Sequence, residues 1–256
     1  MAISLKTAGT WARMVTDGGT VTIPGTPAAG DRMFLFGCWK DFAITVADPS
    51  GWTAIGTPFA DGTVSAGNGT GSVKVMAWYR DWQSGDANPA IDYSAAPTEG
   101  GWVIMLWQKG AGDTWDTPDT VTAPIPASDP FTISATTADA LVPDGSVVMA
   151  LIALRDDSTT ITRTATDIDE NTSGITWNGD YVESPATHWN STTGLDMAAD
   201  LGHRFVTTGM VNADLVVAAN PAAAETGAAK WIVQSVTSAP VERVPYYQPM
   251  RQLLAH

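Results

Sequence analysis

The sequence predicts an all-β fold, a jelly-roll-like antiparallel sandwich of two sheets with an extended C-terminal arm, and three observations carry that prediction. Gly and Pro are frequent, at 24 and 16 of 256 residues. Between them lie short runs rich in Val, Ile, Thr and Trp, the usage of strands joined by tight turns. No long helical pattern alternates with these runs, so sheets must bury their apolar faces against each other.

Residues 3–11 read as an edge strand or tether, and Asp17-Gly18-Gly19 turns into a strand that Pro24 stops. Gly30-Asp31 launches residues 33–39, apolar on both faces apart from Gly37. Such a run fits a strand covered on both sides, with Gly37 leaving room for a close ring or backbone. Pro49-Ser50-Gly51 then turns into a strand whose first buried residue is Trp52, expected to pair with the 33–39 strand. After the glycine-rich stretch 61–71, residues 72–82 alternate, placing Val73, Val75, Ala77 and Tyr79 on one face. Residues 102–107 form a second doubly apolar strand after Gly100-Gly101.

Residues 117–130 carry Pro118, Pro124, Pro126 and Pro130, as an interdomain linker or a crossover between sheets would. Short β-branched runs follow to residue 237, and only 195–205 and 250–255 have the composition of a helical turn. An echo relates the halves: Gly30-Asp31 and the strand after it resemble Asp144-Gly145 and 146–151, and Ser50-Gly51-Trp52 resembles Ser173-Gly174-Ile175. Neither half has enough inward-facing strands to cover two sheets, so one sandwich domain over 1–239 is expected. Residues 240–256 change character, with Pro240, Pro245 and Pro249 among large apolar side chains. They read as an extended docking arm anchored by Tyr246, Tyr247, Met250, Leu253 and Leu254, preferentially on a neighbouring molecule.

Thirteen basic against 27 acidic residues give 13 − 27 = −14. That field repels phosphate backbones and anionic headgroups, which disfavours nucleic-acid and membrane partners. Cys38 lies alone in a core strand as a buried free thiol. Neither a signal-peptide block at the amino terminus nor a membrane-length apolar run is present, so synthesis in a cytoplasm is expected.

Catalytic patterns are sparse. Gly-x-Ser-x-Gly is absent, the 67–71 glycines lack the ending of a phosphate loop, and His188, His203 and His256 are too far apart for a zinc motif. Cofactors are not expected. Asp167, Asp169 and Asn171 alternate as calcium ligands do, without the glycine and distal Glu of an EF-hand. Asp113 and Asp116 flank Trp115, the acid-plus-aromatic pairing of a glycosidase, yet with 27 acidic residues such proximity arises by chance. Trp115, Tyr181 and Trp189 are candidates for stacking on a sugar ring without catalysis.

Several core motifs carry a resemblance. Val21-Thr22-Ile23-Pro24 with Ala29-Gly30-Asp31, then Pro49-Ser50-Gly51-Trp52-Thr53, Trp78-Tyr79-Arg80 and the 100–107 strand are similar to a family of β-sandwich proteins of tailed bacteriophages. The likeness covers residues 20–110 well and the second half in outline; Arg32-Met33 departs from the family's usual Leu pair. It implies a non-catalytic virion component, a minor tail protein or a capsid decoration, located in the particle and contacting other virion proteins and copies of itself. A carbohydrate-binding module for host-surface glycans is the alternative from a different class.

Overall fold

In each half of the chain, the longest apolar strands line up in one sheet, as a computed structural model shows. It describes residues 3–63, 71–97, 99–125, 131–133, 145–155, 175–177, 182–184, 189–190, 197–206, 217–219 and 226–238. The first half contains β1 (Ser4–Ala8), β2 (Ala12–Arg13), β3 (Gly19–Thr20), β4 (Arg32–Lys40), β5 (Thr53–Ala54), β6 (Phe59–Ala60), β7 (Val73–Asp81), β8 (Ala90–Ile91), β9 (Gly100–Gln108) and β10 (Thr114–Trp115). The second contains β11 (Asp119–Ile125), β12 (Phe131–Ile133), β13 (Val147–Arg155), β14 (Ile175–Trp177), β15 (Val182–Glu183), β16 (Trp189–Asn190), β17 (Met197–Phe205), β18 (Val217–Ala219), β19 (Thr226–Gln234) and β20 (Val236–Thr237). Pairing is antiparallel throughout, and the fold is all-β among the described residues.

The two large sheets repeat one plan. The first runs β1-β9-β4-β7-β5 with β6 also on β7, and the second runs β11-β19-β13-β17-β15 with β16 also on β17. Register repeats as well: Phe36 faces Ala77 where Leu151 faces Leu201, and Phe59 faces Val75 where Trp189 faces Ala199. Smaller pairings correspond too, β3 with β8 and the Val46–Tyr93 bridge matching β12 and β14 on β18. Finally β10 pairs with β20, joining the ends of the two halves. A shared strand order and register make this an internal structural duplication.

One apolar cluster lies between the sheets. Phe34, Phe36, Val75, Val103, Met105 and Trp107 of the first meet Met149, Leu151, Ala199, Leu201 and Ile232 of the second. The alternation foreseen for residues 72–82 explains this face, since Val73, Val75 and Ala77 all point into it. A second cluster covers the other face of the first sheet, where Trp39, Trp78, Trp102, Leu35 and Ile104 lie under Met14, Ile44, Trp52, Ile91 and Tyr93. Strands β4 and β9 are therefore apolar on both faces because both faces are covered.

Several expectations change. The 33–39 strand lies between β7 and β9, whereas Thr53–Ala54 pairs with β7, so Trp52 reaches the core as a cover on the sheet and not as a neighbour of β4. Residues 197–205 are a central strand between β13 and the β15 and β16 edge; pairing and burial override the helical preference of Met, Ala and Leu. Within 117–130, residues 119–125 form edge strand β11, where Pro124 is tolerated because an edge has one unpaired side. The echo holds at Gly30 and Gly145, both with positive φ and both entering a central strand. It fails at 173–177, because β14 corresponds to the Val46 bridge and the counterpart of β5 is β15.

Candidate functional site

A buried arginine marks where the two halves meet. Arg32 begins the inward face of β4, where its guanidinium donates to both carboxylate oxygens of Asp81 at 2.6 and 3.1 Å. Its Nη1 donates to the Asp116 carbonyl at 2.6 Å and to Gln234 Oε1 at 2.9 Å, and its plane lies over Tyr79 and Trp115. Asp116 in turn accepts from Ser235 Oγ at 2.7 Å and Thr237 Oγ1 at 2.8 Å. These contacts clamp β20 against the β10–β11 connection. The Asp116 carboxylate is thereby held by two hydroxyls, one on each oxygen.

The stacking candidates separate in a similar way. Trp115 is 9% exposed, donates from Nε1 to the Gly30 carbonyl at 2.9 Å and packs into the core between the sheets. Trp189 is 6% exposed and lies against Gly101, where an added Cβ would sit 2.8 Å from the indole. Both indoles are thus core anchors, which corrects the expectation that they present a face to sugar. Tyr181, the calcium candidates Asp167, Asp169 and Asn171, and the arm residues Tyr246, Tyr247, Met250, Leu253 and Leu254 lie outside the described residues. Among the described residues, no cluster of three or more His, Cys, Asp or Glu has metal-binding proximity. Cys38 is free and buried, with burial raising its thiol pKa, so it is a poor nucleophile.

Two clefts open on the described surface. One, of about 290 Å³, is lined by Gly30, Asp81, Gln83, Lys109 and the edge of Trp115, beside the Arg32 junction. The other, of about 580 Å³, lies where the 58–63 segment passes Phe42, Lys74 and Pro124. Lys74 is 7% exposed, and its ammonium donates to the Ile44 carbonyl at 2.7 Å while lying over the rings of Phe42 and Trp39. Desolvation lowers its pKa, opposed by the charge of Asp41. Phe42 is 38% exposed, an aromatic left at the surface beside a buried cation. Sequence patterning missed this site; the available signal was a lysine sharing a strand face with Met76 and Trp78, a charge where the pattern demands an apolar residue.

Two further ionisable groups sit in low-dielectric surroundings. His203, against Trp107, is pushed down to about 4 by burial. Lys230 lies opposite Leu151 on the inward face, 1% exposed, with its ammonium donating to the Thr57 carbonyl at 3.2 Å and burial bringing its pKa down from 10.5 to about 8. The unfolded chain therefore binds more protons than the folded one between about pH 8 and 10.5, and stability rises with pH across that window. Lys230→Met is expected to remove this rise and, below pH 8, to stabilise the protein by roughly 1–3 kcal/mol, the buried charge being exchanged for an apolar chain of similar length. Urea denaturation of both proteins at pH 7, 9 and 10.5 checks it; parallel stability curves would show that Lys230 is not carrying a buried charge.

Compared with protein-family models, curated proteins and solved structures, the chain finds no match.

Proposed function

We propose that the protein is a structural component of a tailed-phage particle, a minor tail protein attached to its neighbours through residues 240–256. The observation that carries this reading is the rigid root from which that segment departs. Strand β20 is paired with β10 and clamped by the two hydroxyl bonds to Asp116. A docking arm transmits load or fixes orientation only when its origin is fixed, and a root tied to both halves supplies that. The buried Arg32 of the junction directs its donors to Asp81, Asp116 and Gln234, as a scaffold contact would. The resemblance of the core motifs to those of phage β-sandwich proteins supports the same reading, and a capsid decoration would use the same body and root.

The test compares the full chain with a chain ending at residue 239. Both should melt within a few degrees of each other, while only the full chain should oligomerise by light scattering and co-purify with assembled particles. Absence of the full chain from purified particles would sink the virion assignment. Incorporation of the shortened chain would leave the assignment standing and remove the arm's role. Gold-labelled antibody on particles then separates tail from capsid.

A further inference from the structure

The cleft beside Lys74 has the composition of a ligand site. Its volume of about 580 Å³ falls within the range of small-molecule pockets. On one side stands Lys74, a nine-tenths-buried side chain whose ammonium has one hydrogen-bonding carbonyl and two ring faces, with the charge of Asp41 acting on it and no ion pair within salt-bridge distance among the described residues. An ammonium has three donors, and the Ile44 carbonyl takes one of them. Phe42 presents an exposed ring next to that charge, Phe59 and Pro124 continue the apolar wall, and Asp61 and Thr63 add polar groups along the 58–63 segment.

We propose that this cleft binds a sugar acid, with the ligand carboxylate on the Lys74 ammonium and the C–H face of the pyranose on Phe42. A carboxylate satisfies the ammonium's remaining donors through charge-assisted bonds. The electron-rich ring face of Phe42 attracts the polarised C–H bonds of a sugar. Thr63 adds a hydroxyl to the lining, which favours a hydroxylated acid over a purely apolar one, while Asp61 is held by the Val73 N–H at 2.9 Å. Because the body carries a charge of −14 and Asp61 shares the lining, anion binding here depends on the Lys74 ammonium.

Titration of the full chain with sodium glucuronate, followed by saturation-transfer NMR and calorimetry, tests the proposal, with glucose and benzoate as comparators at constant ionic strength. Glucuronate should bind at least about tenfold more tightly than glucose, the scale of one charge-assisted hydrogen bond. Lys74→Met should lose that advantage, Lys74→Arg should retain most of it, and Phe42→Ala, a change at an exposed position, should weaken binding about fivefold. Melting curves confirm that each variant is folded. Undetectable glucuronate binding, equal binding of glucose, benzoate binding as tightly as glucuronate, or an unchanged affinity in Lys74→Met each overturns it.

Discussion

Gly37→Ala is expected to destabilise the protein by at least about 3 kcal/mol, the upper range for overpacking a core. A Cβ at this position would lie 2.3, 2.5 and 2.6 Å from three atoms of the Trp102 ring. Trp102 is the cross-strand neighbour of Gly37, and its indole folds over the bare backbone of β4. It cannot step aside. The indole stacks on Trp39 at 6.0 Å and Trp78 at 5.6 Å, meets Tyr93 edge-on, and donates from Nε1 to the Tyr93 hydroxyl at 2.6 Å. Relief by rotation would break that bond and open the cluster covering the sheet. Guanidinium denaturation gives the cost, and near-UV circular dichroism reports the tryptophans. Trp102→Leu in the Gly37→Ala background should recover part of the loss, because the clash and the ring vanish together. Equal stability of wild type and Gly37→Ala would show that the ring does not occupy the glycine's side.

The same residue shows what could be read before the fold was known. A glycine inside an otherwise apolar strand signals a close approach, and the approach is there. Apolar alternation and turn glycines are local signals, so β4, β7, β9 and the turn at Gly30 were legible. Partner choice is not local. Nothing near Trp52 states that β4 pairs with β7 and β9, because register is set by faces that meet only after chain reversal. The duplication was half visible for the same reason: Gly30 and Gly145 keep equivalent turns, while side chains at matching strand positions differ. Burial of individual tryptophans was also illegible, since an indole beside acidic residues, as Trp115 is, suits either a sugar platform or a core anchor, and only the packing of the sheets decides it. Lys74 and Phe42 belong to different elements, so their pairing emerges with the packing.

Arg32→Met is expected to cost about 2–4 kcal/mol, through unsatisfied acceptors more than through the lost ion pair. Asp81 is 48% exposed at its side chain and regains water when the guanidinium goes, so its share is near that of a surface pair, about 1 kcal/mol or less. Gln234 is fully buried, and its Oε1 has no solvent to turn to. The Asp116 carbonyl keeps only the Gln234 amide at 3.0 Å. Asp81→Asn should therefore be mild where Arg32→Met is severe, an ordering that urea denaturation resolves and that a dominant ion pair would reverse. The duplicated plan supplies a second control. Val147 holds the position in β13 that Arg32 holds in β4: Arg32 pairs with Asp81 and Trp107, Val147 with Phe205 and Gln234. One sheet thus solves the position with a charge and its acceptors, and the other with Val147 beside Phe205. Because an apolar solution to the same node already exists in this molecule, Arg32→Met combined with Gln234→Leu should recover more than half of the single-variant loss. No recovery would mean that Arg32 acts chiefly on Asp116, fixing the β10–β11 crossover and with it the root of residues 240–256.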